Sequence, residues 1–236
     1  MIYLDDCALP VDKTGDGGDS SMRAGMITMT REKSSLPLNK MIFGLSNYEI
    51  GDTGLLIRHP HDFPWNSYKN FTRDQMLPLL AGMKSQGLNE MAARVFKARK
   101  KAWFFAQNTE RDYPGTTKFP WPHTFINDKG VEEKRSFDFA DPLMPNHIGA
   151  MILVGKVKWA YWFLPFAYLF HFLHLYVHSC TQGTEENQTI AECYIFGTLK
   201  TYKKLKKDWK NSSYVYWSKR NEVEYHEALS KLIDNL

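Results

Sequence analysis

Carboxylate and guanidinium side chains beside glycine-rich turns are the groups of this sequence best suited to chemistry. The stretch DKTGDGGDSSMRAGM, residues 12 to 26, sets three aspartates among glycines and runs directly into a helix that carries Arg23. Asp19 stands at the expected N-cap, where a carboxylate stabilises a helix by roughly 1 kcal/mol without any further purpose. Arg23, four residues on, falls on the same face and can pair with it. The glycines exceed what a cap requires, because they let a ligand approach the backbone closely. An acid and an arginine on one turn beneath such a loop could hold a polyhydroxylated or anionic ligand. A calcium loop is disfavoured by spacing: counting from Asp12 gives Asp12, Thr14, Asp16 and Gly17, but Arg23 stands where the bidentate acid should be.

Two further motifs carry similar groups. LLIRHPHDF offers Arg58, His59, His61 and Asp62 around a rigid proline, a weak signal for a metal because no second ligand cluster lies nearby. FTRDQ places Arg73, Asp74 and Gln75 in the first turn of a helix, with Thr72 and Gln75 at the spacing of a capping box. Asp74 suits the positive end of the helix dipole, whereas Arg73 does not and needs another partner. Downstream, Asp141 and His147 border an aromatic helix on which His171, His174 and His178 share one face. Those histidines read as the polar side of a core helix, facing a wet cavity or paired with carboxylates. No metal is assigned, and the sequence specifies no cofactor. The lysine run LKTYKKLKKDWK, residues 199 to 210, reads as a solvated helix end, so nucleic acid is disfavoured as a partner.

These groups need a framework, and composition supplies one. Hydrophobic residues make up 43%, charged residues 24% and aromatics 14% of 236 residues, a globular balance with a mild net charge of +4. Helical punctuation recurs and strand-like alternation is scarce, so the class expected is all-α: one domain over residues 1–236, a helical bundle or partial (α/α) toroid with long loops. The N-terminal residues 1–18 read as loop, and residues 34–71 and 110–140 as long loops, the first with a short hairpin near Tyr48 to Ile57. Helices are expected over 20–33, from Thr72 to Gly87, from Leu88 to Phe105, after Asp141, over the aromatic stretch, from about Glu186 to Lys210, and from about Val215 to Leu236. The aromatic stretch Trp159–His178 contains no Asp, Glu, Lys or Arg. It reads as a buried helix rather than a membrane span, because it holds three histidines and Pro165 and no second span accompanies it. Three cysteines without close pairing, Cys7, Cys180 and Cys193, and an N-terminus lacking a basic region before an apolar run favour synthesis in a reducing cytoplasm.

The motif order G-D-x-x-x-R-x-G-M (Gly18–Met26), R-H-P (Arg58–Pro60), R-D-Q (Arg73–Gln75) and D-P-x-x-P (Asp141–Pro145) resembles a pattern in uncharacterised proteins of tailed bacteriophages and some bacteria. That resemblance implies a phage-encoded chain made in the host cytoplasm, with other phage proteins or the virion as its destination. A more distant similarity at the level of fold is to the (α/α) toroids of carbohydrate-active enzymes, where acids rise from helix ends around a cleft. The functional expectation is a polar pocket that binds or cleaves carbohydrate. Asp19 and Asp74 would be its acid/base pair, and Arg23, Arg58, His59, Arg73, Gln75, Asp141 and His147 would position the substrate. The alternatives are a non-enzymatic virion or assembly component and a nucleic-acid accessory protein. Oligomeric state is left open.

Overall fold

The computed structural model describes residues 2–30, 44–61, 71, 73–107, 123–126, 132–135, 144–180 and 186–236. Asp62, Thr72 and Asp141 lie outside the described residues, as do the side chains of Arg73, Asp74 and His178. The class is all-α. Nine α-helices are found among the described residues: α1 Ser20–Met29, α2 Arg73–Gln86, α3 Asn89–Gln107, α4 Pro145–Val154, α5 Leu164–Cys180, α6 Glu186–Phe196, α7 Leu199–Leu205, α8 Trp209–Lys219 and α9 Val223–Asp234. Short antiparallel pairs, β1 (Tyr3–Leu4) with β2 (Pro10–Val11) and β3 (His123–Ile126) with β4 (Glu132–Arg135), are the strands. Both pairs fall in segments expected to be loop, residues 1–18 and 110–140.

α2 and α4 form the centre of a bundle. α2 packs against α1, α3, α4 and α6, while α4 also meets α5. The contact between α1 and α2 is very close: a Cβ at Gly25 would collide with the backbone of Pro78 and Leu79, and Gly82 faces Gly25 across the same seam. Only glycine lets two helix backbones meet in this way. Gly149 serves the same end on α4, where a Cβ would strike Ala167 of α5.

Several helix boundaries follow local chemistry. α2 ends at Gly87, with φ +73°, and α4 begins with Pro145 at its first position. The single helix expected from Glu186 to Lys210 is instead two, because Gly197 turns left-handed at φ +73° and divides α6 from α7. α8 then starts at Trp209, ahead of the expected Val215. The expected hairpin is present as a bridge between Glu49 and Leu56, following a 3₁₀ turn over Leu45–Tyr48. Glu49 fixes it to α3 by accepting two hydrogen bonds from Arg94, each 2.7 Å long. That anchorage sets where Arg58 and His59 emerge.

Candidate functional site

The first turn of α1 collects groups from five parts of the chain. The Ser21 N–H donates to the Arg58 carbonyl at 3.0 Å, and the Ser20 N–H to the Gly17 carbonyl at 2.9 Å, so two of the helix's orphan donors are satisfied by loop backbone. Asp19 occupies the N-cap position, but its side chain makes no capping bond. Its Oδ1 instead accepts a 3.0 Å hydrogen bond from Gln75 Nε2 at the start of α2. The Gln75 side chain therefore orients Asp19 rather than only finishing the cap of its own helix.

Behind Asp19 the site is sealed. Arg23 donates through Nε to Glu222 Oε1 at 3.0 Å and through Nη2 to Oε2 at 3.4 Å, with the two side chains 3% and 1% exposed. Arg23 is thus paired with an acid far along the chain and not with Asp19. Burial pushes the Glu222 carboxyl up, against the charge and hydrogen bonds of Arg23, which pull it down. Ser20 and Tyr48 share a buried 2.7 Å hydroxyl contact, and burial pushes the Tyr48 phenol well above its ordinary value. Tyr225, stacked on Trp217 at 4.4 Å between centroids, closes the interior side with a buried hydroxyl.

In front of Asp19 the site opens. Asp19 and Arg220 are 30% and 37% exposed, with Asp19 Oδ2 and Arg220 Nη2 separated by 3.9 Å. The guanidinium of Arg220 lies over the ring of Tyr216, 4.1 Å from its centroid, in the geometry of a cation–π contact. His59, next to the Arg58 whose carbonyl meets α1, is buried. Its Nδ1 accepts the His61 N–H at 3.2 Å, which leaves Nε2 to carry the ring proton, 3.1 Å from Asp5 Oδ2. Asp5 is itself fixed, since its Oδ1 accepts from the backbone N–H groups of Cys7 and Leu9.

A second polar cluster lies between α4, α5 and α6. Glu192 is fully buried and accepts from His171 Nδ1 at 2.6 Å, His174 Nδ1 at 2.8 Å and Asn146 Nδ2 at 3.0 Å. The other ring nitrogen of His171 bonds Thr198 Oγ1 at 2.7 Å, and its ring stacks on Phe196 at 4.4 Å. His147 completes the group, with its ring centroid 6.5 Å from that of His174. Complete burial works against ionisation of Glu192, but the hydrogen bonds from His171 and His174 outweigh it and hold the carboxyl well below the usual carboxylate range. The expectation that these histidines pair with carboxylates holds for His171 and His174. Among the described residues, no group of His, Cys, Asp or Glu side chains has the arrangement of a metal site.

The structure therefore brings Asp19, Arg23, Arg58, His59 and Gln75 to one end of α1, whereas His147 belongs to the second cluster. Arg73 and Asp74 enter through the backbone of the α2 first turn, immediately before Gln75. Asp5, Tyr48, Arg220 and Glu222 were not singled out by their local sequence. Glu192 did carry a signal, because an acid inside the apolar run IAECYIF must find a buried partner. The lysine run is partly internal: Lys206 is buried, Lys203 donates to the Ile233 carbonyl, and Lys210 bonds Asp234 at 2.6 Å.

No family model, curated protein or solved structure matches this chain. Among the described residues, no helix is long and apolar enough to cross a membrane.

Proposed function

We propose that the protein binds carbohydrate at the open end of α1 and hydrolyses it there. One observation carries this reading: Asp19 is oriented by a side chain from a distant helix yet remains within reach of solvent. A carboxylate serving only as a helix cap would bond its own backbone. Beside it, the Arg220 guanidinium, held against the Tyr216 ring, offers a fixed cation whose N–H groups can donate to sugar hydroxyls. Arg23 acts from behind in this reading. It neutralises Glu222 and holds the floor of the site instead of touching the ligand.

Glycoside hydrolysis needs a second carboxyl group, roughly 5 to 9.5 Å from the first depending on stereochemistry. Asp74 is the residue we assign to that role, because it directly precedes Gln75, whose side chain already meets Asp19. The experiment is a panel of bacterial surface and capsular oligosaccharides tested for binding and cleavage with the wild-type chain and with Asp19→Asn and Asp74→Asn. Cleavage that falls by about 10²–10⁴-fold in each variant supports the assignment. Binding and cleavage that survive both substitutions would remove it.

A second reading, a non-enzymatic component of a phage particle or its assembly, is favoured by the Arg23–Glu222 pair, in which a motif arginine is fully committed to the fold. Mass spectrometry of purified particles separates the two: stoichiometric presence, with no cleavage of any glycan, favours the structural role.

A further inference from the structure

The turn between α8 and α9 carries an arginine that is held in place and yet bonds no protein acceptor. Arg220 ends α8, with its N–H donating to the Trp217 carbonyl at 3.2 Å. Asn221 follows at φ +58°, and this left-handed residue lets the Glu222 N–H return to the same carbonyl at 2.9 Å. Both sides of the turn are anchored. Trp217 is fully buried, stacks on Tyr225 and donates to Asn187 Oδ1 at 3.1 Å, while Glu222 is tied to Arg23. The backbone that presents Arg220 is therefore fixed by the interior on either flank.

The guanidinium itself is placed by softer contacts. One face lies against the Tyr216 ring, 4.1 Å from its centroid, and Nη2 stands 3.9 Å from Asp19 Oδ2. A charged N–H···O bond measures about 2.7–2.9 Å, so the contact with Asp19 is an attraction across a gap and not a hydrogen bond. Glu222, two residues away, is already taken by Arg23. Among the described residues no acceptor stands at hydrogen-bond distance from the Arg220 side chain, and its Nη1 is buried without a partner. An unsatisfied buried donor is costly, so this nitrogen lacks an acceptor that the chain does not supply.

Two features select the chemistry of that acceptor. With the Tyr216 ring covering a face, the guanidinium offers its edge, where paired N–H groups match the two oxygens of a carboxylate. The surrounding junction is also short of acceptors: the hydroxyls of Ser21 and Tyr225, both buried, have no hydrogen-bond partner either. A sugar hydroxyl brings a donor along with its lone pairs, whereas an ionised carboxylate brings acceptors alone. The acids nearest in the α1 loop are engaged by other groups, Asp19 Oδ1 by Gln75, and Asp12 and Asp16 by backbone N–H groups of their own turns.

We propose that Arg220 sets the specificity of the Asp19 site by receiving the carboxylate of an acidic sugar, so that the ligand is an oligosaccharide of hexuronic acids. This inference rests on the carbohydrate reading and names its substrate class. A uronate carboxylate on the fork of Arg220 fixes one sugar unit beside Asp19, whose Oδ2 lies 3.9 Å from the same guanidinium. A neutral sugar finds the same cation but not the bidentate match, and binds more weakly.

The test is calorimetric titration of the full chain with oligouronates of several linkages, each paired with the same oligosaccharide after reduction of its carboxyls to alcohols. At least one acidic form should bind about 10–100-fold more tightly than its reduced twin, the range for hydrogen bonds to a charged group. Arg220→Met should bind the two forms alike, with its urea midpoint that of the wild type. Equal binding of acidic and reduced forms by the wild type overturns the proposal, as does a preference that survives in Arg220→Met. Displacement of the oligouronate by acetate at equal carboxylate concentration would reduce the site to a bare anion receptor and remove the sugar. Acid preference without cleavage leaves this inference standing and removes hydrolysis; cleavage without acid preference does the reverse. No binding to any member overturns both.

Discussion

The two polar clusters of this molecule are built from similar groups and differ in closure. Around Glu192 the carboxylate takes three hydrogen bonds from α4 and α5 and has no exposed surface. Around Asp19 burial is graded: Arg23 and Glu222 lie inside, Gln75 reaches forward, and Asp19 and Arg220 meet solvent. Fully satisfied interior networks rigidify a core and fix its arrangement. A carboxylate that is oriented but accessible is instead available to a ligand. The contrast shows that a concentration of histidines and acids can serve packing alone; under the proposed function it is the exposed carboxylate aimed by a second residue that meets a ligand.

That contrast can be broken by substitution. The largest effect is expected from Glu192→Ala, which strips His171, His174 and Asn146 of their shared acceptor and should lower stability by about 3–5 kcal/mol, read from the midpoint of urea unfolding. Arg23→Ala leaves Glu222 buried without its counter-charge and should cost about 3 kcal/mol. Pairing Arg23→Met with Glu222→Leu should recover most of that loss, since apolar side chains of similar size replace a buried ion pair at little cost.

Acid should act on the closed cluster through Glu192. Its folded carboxyl titrates below the ordinary value of 4.5, so its stabilising contribution is fully present above that pH and is lost as the pH falls through the lower folded value. Thermal unfolding of the wild type should therefore shift downward below pH 4.5, and Glu192→Gln should flatten that dependence. The smallest effect on stability is expected at the open cluster, where Asp19→Asn should change unfolding by less than about 1 kcal/mol.

The sequence made the local pieces of this architecture readable. Asp19 ahead of α1 and Gly87 at the end of α2 are decided by neighbours within a turn, and local chemistry is enough to place them; α4 was expected directly after Asp141 and is described from Pro145. That the start of α1 would lie near the start of α2 and the Arg58 loop was also anticipated, because loops and helix starts gather at the ends of a bundle. The partners were not legible. Glu222 lies 199 residues beyond Arg23, and nothing near either residue says that they meet. Arg220 reads locally as the end of α8, and its place beside Asp19 comes from the packing of α8 and α9 against the rest of the chain. The exposed part of the aromatic stretch expected to be a buried helix escaped for a different reason: its composition is apolar around the whole helix, so only packing decides that Trp162, Leu169 and Leu173 are exposed while Ala167 and Leu175 are buried.

The account rests on Asp19 serving a ligand while Glu192 serves the fold. Cleavage of the oligosaccharide panel by Asp19→Asn and Glu192→Gln, measured at a temperature where both are folded, compares the two clusters directly. Glu192→Gln should cleave as the wild type does, and Asp19→Asn should lose cleavage with its unfolding curve intact. Full cleavage by Asp19→Asn, or its loss in folded Glu192→Gln alone, would contradict the assignment.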